Sequence, residues 1–461
     1  MVTEKNMDQP NSYRTQSRES GPSGLEHVRQ AAKKDGKVRF TALLHHVTVD
    51  LLRSSYHSLK KQAAPGVDGV RWEEYGRELE VRLTDLHGRI HRGAYHAQPS
   101  RRVFILKADG RQRPLGIAAL EDKIAQHAVG KVLNQIWEED FLGFSYGFRP
   151  GRSQHDALDA LYVGITRKPV GWVLDLDIRS FFDKIDHDWM VRFVEHRIGD
   201  RRIVRLIQKW LKAGVMEQGR WIETEEGTPQ GAVISPILAN LYLHYVLDLW
   251  VNQWRRKKAR GDVIIIRYAD DAVLGFQSRD EALRFLAELK ERVGKFGLEL
   301  HPEKTRLIAF GRYIAKHRKK RGAGRPETFN FLGFTHYCGT NRKTGHFGLL
   351  RKTIGKRMTA KLKAIAAQLH QRRHDPIKDT QRWLQSVVRG YFQYHAIPGN
   401  WARMEEFRKN VLRLWHRSLR RRSDKSRWTW TRFRKFLVDQ IPEVRILHPF
   451  PDRRFDARHS R

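Results

Sequence analysis

The hydrophobic pattern of this chain is clearest just past the middle of the sequence. Two short apolar runs, 263–266 and 272–276, flank the polar break Tyr268-Ala269-Asp270-Asp271. Short apolar runs joined by a polar break are typical of a buried β-hairpin. The pattern therefore predicts two paired strands whose turn carries the adjacent carboxylates of Asp270 and Asp271.

The rest of the sequence mixes strand-like and helical periodicities, which predicts an α+β protein. Apolar runs predict strands at 103–106 and 172–178. Helical spacing of apolar residues predicts helices at 25–95 (with a break at 63–69), 117–137, 188–211, 235–254, 280–296 and 351–420. The basic, glycine-containing stretch 317–326 predicts a solvated loop, and the polar residues 1–24 predict a disordered tail.

Composition narrows the class of protein. The chain has 461 residues, 40% of them hydrophobic, with 13 Trp, which indicates a folded protein with a sizeable core. Its net charge of +37 is spread along the whole length and predicts a polyanionic partner, for which nucleic acid is the best candidate. An anionic membrane is the alternative, but the sequence has no apolar stretch of transmembrane length, signal peptide or sustained amphipathic pattern.

The single cysteine, Cys338, excludes an internal disulfide and any zinc site built on several cysteines. We therefore expect no zinc, and a reducing cytoplasm is the simplest location.

The paired carboxylates of Asp270 and Asp271 are the first candidate for chemistry. Two like charges beside an apolar sheet are costly unless a cation lies there, and Mg²⁺ prefers oxygen ligands. Asp177, at the end of the strand predicted at 172–178, is a third candidate, and Asp175 on the same strand face is its rival. Three carboxylates around two Mg²⁺ ions, about 3.5–4 Å apart, suit phosphoryl transfer. The alternative is a polar turn whose aspartates face water.

Six short blocks then occur in the order found in one known family. They are Arg113-Pro114-Leu115-Gly116-Ile117, Ser145-Tyr146-Gly147-Phe148-Arg149-Pro150, Asp177-Ile178-Arg179-Ser180-Phe181-Phe182, Gly227-Thr228-Pro229-Gln230-Gly231, Tyr268-Ala269-Asp270-Asp271 and Phe331-Leu332-Gly333-Phe334. Over roughly residues 60–400 the chain resembles group II intron reverse transcriptases, also called maturases. The resemblance implies a right-hand polymerase fold with fingers, a palm with an antiparallel sheet, and a helical thumb.

The resemblance also implies which residues hold the metal ions. It makes Asp177, rather than Asp175, the first ligand, and Asp270 and Asp271 complete the catalytic triad. The backbone carbonyl of Ile178 is expected to help hold one of the two Mg²⁺ ions.

Five residues are expected to bind the nucleotide. Lys107 and Arg113 flank a turn that would close over the triphosphate, because long cationic side chains pair well with phosphate oxygens. By resemblance, Phe182 excludes a 2′-hydroxyl, Gln230 contacts the dNTP, and Lys304 lies near the leaving group. The alternatives are an ordinary core phenylalanine and solvated surface cations.

Four further residues are expected to contact nucleic acid. Gly231 permits close backbone approach to the template, and Tyr268 is expected at the primer end. Arg389 and Tyr391 lie in Arg389-Gly390-Tyr391-Phe392-Gln393-Tyr394-His395, which resembles the maturase thumb and predicts contacts with RNA.

The expected domains follow from this alignment of motifs. They are a disordered tail (1–24), an N-terminal helical extension (25–95), fingers and palm (96–337), the maturase thumb (338–420) and a basic DNA-binding tail (421–461). The sequence after Arg421 has no His-Asn-His pattern and no cysteine, which favours the lineage that lacks a nuclease.

The expected activity is RNA-directed DNA synthesis, with an RNA template, a DNA primer, target DNA and dNTPs as partners. Binding of group II intron RNA to assist splicing and mobility is a second expected role, in a cytoplasm of bacterial type and at the nucleoid when DNA is bound. Two alternatives stay open: a reverse transcriptase recruited to defence or repair, and an RNA-binding splicing factor with an idle polymerase site.

Overall fold

The structure of the chain is a computed structural model that describes residues 24–106, 112–217, 219–224, 226–228, 231–340, 345–423, 426 and 428–459. Helices and strands alternate irregularly along these residues, so the architecture is α+β, as predicted. No helix in the described ranges is both long and apolar enough to span a bilayer.

The helices surround three small sheets. In chain order the helices are α1 Gly24–Lys34, α2 Val49–Ser58, α3 Trp72–Tyr75, α4 Leu79–His91, α5 Leu120–Asp140, α6 Gln154–Arg167, α7 His187–Arg197, α8 Arg201–Leu211, α9 Ser235–Leu243, α10 Leu249–Lys257, α11 Arg279–Gly294, α12 Arg312–Lys320, α13 Gly355–Gln371, α14 Ile377–His395, α15 Trp401–Arg420, α16 Trp430–Leu437 and α17 Pro451–Arg458. The strands are β1 Ser100–Leu106, β2 Gln112–Ile117, β3 Trp172–Leu176, β4 Val215–Glu217, β5 Arg220–Ile222, β6 Val263–Tyr268, β7 Asp271–Phe276, β8 Arg306–Ala309, β9 Phe329–Phe331, β10 Phe334–Thr340 and β11 Phe347–Thr353.

The central sheet has the strand order β6-β7-β3-β8, and all three of its pairings are antiparallel. Strands β6 and β7 form the hairpin that the apolar runs predicted, because β-branched side chains fit a pleated surface buried on its faces. Strand β3 pairs with β7 up to Leu176 opposite Ala272. The end of β3 therefore lies next to the turn of the hairpin.

A second sheet has the strand order β2-β1-β4-β5. Its β1–β2 hairpin is antiparallel and confirms the strand predicted at 103–106, although β1 already begins at Ser100. The third sheet has the order β11-β10-β9 and shares a hydrophobic cluster with α6 and the central sheet.

The core of the described residues has three hydrophobic clusters. The largest joins α1, α2 and α4 to α5, α9 and one face of the central sheet, so the N-terminal helices share a core with the sheet. A second cluster lies between α6, the other sheet face and the β9–β11 sheet. The third is formed by α13 to α16 and contains residues past 420, including Phe433, Leu437 and Val444.

Three predicted elements are wrong in detail. The helix predicted at 188–211 breaks at Gly199-Asp200, because the Asp200 carboxylate caps α8 and accepts hydrogen bonds from the Leu43 and Leu44 amides. Residues 317–320 belong to α12 rather than to a loop. Residues 351–353 extend β11 instead of starting a helix, because their backbone pairs with β10.

The C-terminal helix α17 packs on α6 through ion pairs. Asp159 of α6, 1% exposed, accepts a hydrogen bond from Arg454 of α17 and lies 3.7 Å from the guanidinium of Arg351 in β11. On the surface of the same interface, Arg167 forms a forked pair with Asp456 at 2.7 and 2.8 Å. The segment predicted as a basic tail thus includes a helix docked on the central region.

We expect Asp159→Ala to destabilise the protein strongly. The change leaves the buried guanidinium of Arg351 and the partly buried one of Arg454 without this counter-charge, which costs about 3–5 kcal/mol. Urea-induced unfolding followed by circular dichroism measures the effect. Asp456→Ala is the matched control: it removes an acid from the same interface, but its exposed pair is screened by water, so little change is expected. Equal effects of the two substitutions would contradict this account.

Candidate active site

The turn of the β6–β7 hairpin presents two carboxylates at the edge of the central sheet. Tyr268 pairs with Asp271, and Ala269 and Asp270 close the two-residue loop between them. Ala269 has a φ of 57°, an uncommon conformation for a residue with a side chain. A two-residue turn of this kind projects adjacent side chains over a small area, so Asp270 and Asp271 stay near one another.

Asp177 follows directly after β3 and extends the register that places Leu176 opposite Ala272. The next position along that ladder is Asp177 opposite Asp271, so two carboxylates far apart in sequence meet at one end of the sheet. The Asp177 carbonyl accepts hydrogen bonds from the His301 amide (2.8 Å) and from Thr305 Oγ1 (3.2 Å). These bonds fix the chain where it leaves the sheet.

Repulsion and burial act together on Asp271. Its side chain still reaches solvent, but the surrounding protein desolvates it and raises its pKa to about 6. The negative charges of Asp270 and Asp177 raise this pKa further, whereas Arg357 and Lys304 lower it. Asp271 is therefore a carboxylate that a bound cation would favour in its ionised form.

Asp175 lies two residues before Asp177 on the same face of β3, as the strand period predicted. It is half-buried between Val273 of β7 and Arg306 of β8. Burial raises the pKa of Asp175 to about 7; Arg306 opposes the shift, and the charges of Asp271 and Asp177 add to it. Asp175 is therefore a fourth acid, which lies further into the sheet than Asp177, Asp270 and Asp271 at its edge.

The fit to a metal depends on how many ligands the protein must supply. Within the described ranges, no three acidic, histidine or cysteine side chains converge closely enough to enclose an ion by themselves. Mg²⁺ is nevertheless held by one or two carboxylates with water and substrate phosphates. The carboxylates of Asp177, Asp270 and Asp271 fit that kind of open site, and Ile178, whose carbonyl was the fourth predicted ligand, continues the chain from Asp177.

The predicted nucleotide residues are only partly described. Lys107 and Gln230 lie outside the described residues, and of Arg113 the structure gives the backbone, paired with Ile105. Lys304 donates hydrogen bonds to both oxygens of Asp177, at 3.2 and 3.1 Å, so it lies in the acidic site. Phe182 lies in the 3₁₀ turn that follows the acid, where its ring is only partly buried and contacts Phe181 edge-on.

Gly231 has a φ of 114° and packs against the second sheet. A Cβ atom there would lie 2.7 Å from the carbonyl oxygen of Gly116 in β2, so only glycine fits. Upstream of Gly231, the Thr228 amide donates a 2.8 Å hydrogen bond to the Phe182 carbonyl. Thr228 therefore contacts the turn that carries Phe182, and Gly231 lies against β2.

The predicted RNA contacts divide into two groups. Tyr268 is half-buried beside the acidic turn, and Arg389 is exposed on α14. Tyr391 does not offer a surface to RNA: it is 8% exposed and stacks on Phe407 at 3.6 Å between ring centres. The amphipathic pattern of α14 places Tyr391 on the apolar face of the helix, so its expected contact with RNA is corrected to a core contact.

Sequence reasoning missed Arg357 and Thr305. Arg357 lies on α13, 86 residues after Asp271 in the numbering, and its charge lowers the pKa of that acid. No local pattern connects the two. Thr305 directly follows Lys304, which was already expected near the site. This adjacency was the signal that could have identified Thr305 as a partner of Asp177.

Comparison with known proteins gives one family match. The sequence profile described as reverse transcriptase (RNA-dependent DNA polymerase) matches residues 105–336. That region contains Asp177 and the whole central sheet with its β6–β7 hairpin.

Individual relatives agree with the profile. Protein YkfC of Escherichia coli is 34% identical over 336 residues, which cover 63% of this chain and 87% of YkfC. The group II intron-encoded protein LtrA of Lactococcus lactis is 35% identical over 237 residues, 50% of this chain and 39% of LtrA. A 91 kDa protein in the cob intron of Schizosaccharomyces pombe is 26% identical over 431 residues, and the chain covers 51% of it. The chain thus spans about half or less of the two intron proteins.

We predict that the affinity of the site for divalent metal rises with pH. The raised pKa of Asp271, about 6, means that a proton competes with the metal below pH 6 and is lost above it. Competition from one such proton makes the apparent dissociation constant for Mn²⁺ about fourfold larger at pH 5.5 than at pH 7.5. This dissociation constant is measured from the electron paramagnetic resonance signal of free Mn²⁺. Asp271→Asn, which cannot ionise at this position, should reduce the dependence to what the neighbouring Asp175, with its pKa of about 7, contributes. An unchanged slope in this variant would contradict the assignment.

Proposed function

Since the chain belongs to the reverse transcriptase family, with group II intron-encoded proteins among its relatives, we propose that it copies RNA into DNA at the acidic turn. The reaction joins the 3′-hydroxyl of a DNA primer to the α-phosphate of a dNTP and releases pyrophosphate. The observation that carries the proposal is the meeting of Asp177 with the Asp270–Asp271 turn across β3 and β7.

Asp177, Asp270 and Asp271 would hold the two Mg²⁺ ions in this proposal, with the Ile178 carbonyl as an additional ligand. Bound Mg²⁺ supplies Lewis-acid activation of the hydroxyl and neutralises charge on the phosphates. The protein's part is positional: the paired ends of β3 and β7 fix where the carboxylates stand, and the carbonyl of Asp177 is held from two sides. Positioning of reacting groups is the main contribution of proteins to phosphoryl transfer.

The residues around the acids would bind the nucleotide. Lys304 would neutralise charge on the leaving pyrophosphate; its hydrogen bonds to Asp177 support this role, because they keep its ammonium group beside the acids. Phe182 would lie under the sugar, and Lys107, Arg113 and Gln230 would contact the triphosphate and base, as the family resemblance implies. Gly231 and Tyr268 would face the template and the primer end.

We also propose that the protein binds the RNA of a group II intron and assists its splicing and mobility. Support comes from LtrA, whose name describes it as a group II intron-encoded protein, and from the net charge of +37. Exposed cations on the last helices, including Arg389, would contact phosphates. Binding of target DNA by residues 421–461 is part of the same proposal.

We expect Asp270→Ala to abolish primer extension on an RNA template, by at least 1,000-fold on the scale of a lost metal or oxyanion ligand. RNA affinity should stay within a few-fold of wild type, because one acid contributes little to a strongly basic surface. Gel-based extension and filter binding measure the two quantities. Asp280→Ala, which removes an exposed aspartate at the start of α11, is the matched control and should retain full extension. Retained extension by Asp270→Ala would exclude a role for that acid, and an inactive wild type would favour the alternative of a splicing factor without polymerase activity.

We expect Phe182→Ala to weaken discrimination against ribonucleotides. Removing the ring opens space for a 2′-hydroxyl, so incorporation of rNTP relative to dNTP should rise by at least tenfold, or about 1.4 kcal/mol of discrimination. Single-nucleotide extension with each triphosphate measures the ratio. Phe181→Leu is the control, because Phe181 is buried in the core next door and should affect stability but not the ratio. An unchanged ratio in Phe182→Ala would show that the ring only packs.

A further inference from the structure

Arg267, three positions before Asp270, is a buried cation to which the proposed chemistry gives no role. Its side chain is fully buried within strand β6, which is otherwise apolar up to Tyr268. Burying a guanidinium is costly unless its charge is balanced and each of its five N–H groups has an acceptor. The acceptors of these five N–H groups therefore indicate the role of Arg267.

All five N–H groups of Arg267 have acceptors. Nε and Nη2 bind the two carboxylate oxygens of Asp248 at 2.7 and 2.5 Å. Nη1 donates to Asn240 Oδ1 at 3.1 Å, and Nη2 donates to Ser145 Oγ at 2.7 Å. The last N–H, on Nη1, donates to the carbonyl of Ala269 at 2.9 Å. One guanidinium thus connects the peptide of the acidic turn to three side chains from elsewhere in the chain.

The turn that Arg267 holds is unusual in conformation. Ala269 is one of four non-glycine residues with positive φ in the described ranges, and such residues persist where their surroundings fix them. On its other side the turn touches Gly147, where a Cβ atom would lie 2.2 Å from the Ala269 amide nitrogen. Asn240 donates a 2.7 Å hydrogen bond to the Gly147 carbonyl. The turn is therefore held between Gly147 and Arg267, and Asn240 contacts both.

The acid that balances Arg267 is placed by an irregular helix. Asp248 is fully buried and ends the π-helical turn His244–Asp248, which lies between α9 and α10. A π turn inserts an extra residue per turn and redirects the side chains that follow it, and such turns are frequent at functional sites. Here it brings Asp248 to the guanidinium that Asn240, on α9, also contacts.

We infer that Arg267, together with Asp248 and Asn240, is a positioning residue that sets the orientation of Asp270 and Asp271 for divalent metal. The inference rests on the proposed function, because it assigns the purpose of the turn to metal binding. A buried ion pair is weak support for stability, since apolar residues of similar volume often serve as well. Apolar residues could not replace the fifth hydrogen bond, which Arg267 donates to the Ala269 carbonyl in the turn that leads from β6 to the two acids.

The first test is Arg267→Lys, assayed for metal binding without nucleic acid. Lysine keeps the charge, but its ammonium has three donors and cannot bridge Asp248 while also reaching Ser145, Asn240 and the turn. We expect Mn²⁺ affinity, measured by electron paramagnetic resonance, to fall at least tenfold. The Mg²⁺ concentration for half-maximal primer extension should rise by a similar factor, with RNA affinity unchanged.

Arg197→Lys is the matched control for general damage to the core. Arg197 is also buried, at 1% exposure, and its guanidinium lies 3.4 Å from Asp140, away from the acidic turn. This substitution should lower the melting temperature without changing Mn²⁺ affinity. A weaker Mn²⁺ affinity in Arg197→Lys, equal to that in Arg267→Lys, would overturn the inference.

A double variant, Arg267→Met with Asp248→Leu, separates stability from positioning. Removing both charges and filling their volume should return the melting temperature close to that of the wild type. Mn²⁺ affinity should stay as weak as in Arg267→Lys, because the Ala269 carbonyl has lost its donor. Recovery of metal affinity together with stability would overturn the inference. A wild-type chain that binds Mn²⁺ but extends no primer would instead contradict the proposed polymerase function, and the comparison of affinities would still hold.

Discussion

Repulsion between carboxylates of like charge is the constraint on which this palm-like sheet depends. Asp177, Asp270 and Asp271 each raise the pKa of a neighbouring acid, so gathering these carboxylates at one edge of the sheet is electrostatically costly. The fold tolerates that cost because cations stand around the cluster: Lys304 on Asp177, Arg306 beside Asp175, and Arg357 near Asp271. The buried Arg267–Asp248 pair is neutral overall, so it contacts the Ala269 carbonyl of the turn without adding net charge to the acidic cluster.

The local pattern of the sequence was enough to predict the hairpin, the strand before Asp177 and the α+β class, because each depends on side-chain period within a few residues. It was not enough where distant partners decide the backbone. The break before α8 exists because the Asp200 carboxylate binds the amides of Leu43 and Leu44, some 157 and 156 positions away. Likewise, residues 351–353 become a strand only because β10 lies beside them.

The candidate site likewise combines residues that the local sequence pattern revealed with residues that depend on distant partners. The acids were recognisable because carboxylates next to apolar runs are rare and ordered motifs accompanied them. Tyr391 was mistaken for an RNA contact because an aromatic residue among arginines fits either a surface or a core, and only its stack on Phe407 distinguishes the two. Arg267 did carry a signal that was passed over: a charged residue inside an apolar strand requires a buried partner. What the sequence could not give was the identity of that partner, since Asp248 reaches it through a π turn that no propensity scale anticipates.

The opposite signs of the surface and the site also favour a phosphate substrate over a neutral one. A net charge of +37 draws a polyanion to the protein from any direction, whereas the clustered acids repel the same phosphates at short range. In the proposed function these two effects are reconciled by divalent cations that would accompany the phosphate into the site, because such ions satisfy both the acids and an incoming triphosphate. In the proposed polymerase, the fixed acidic turn would therefore select what reaches the centre: nucleic acid would lie along the basic surface, and a phosphate would enter the acidic site together with metal.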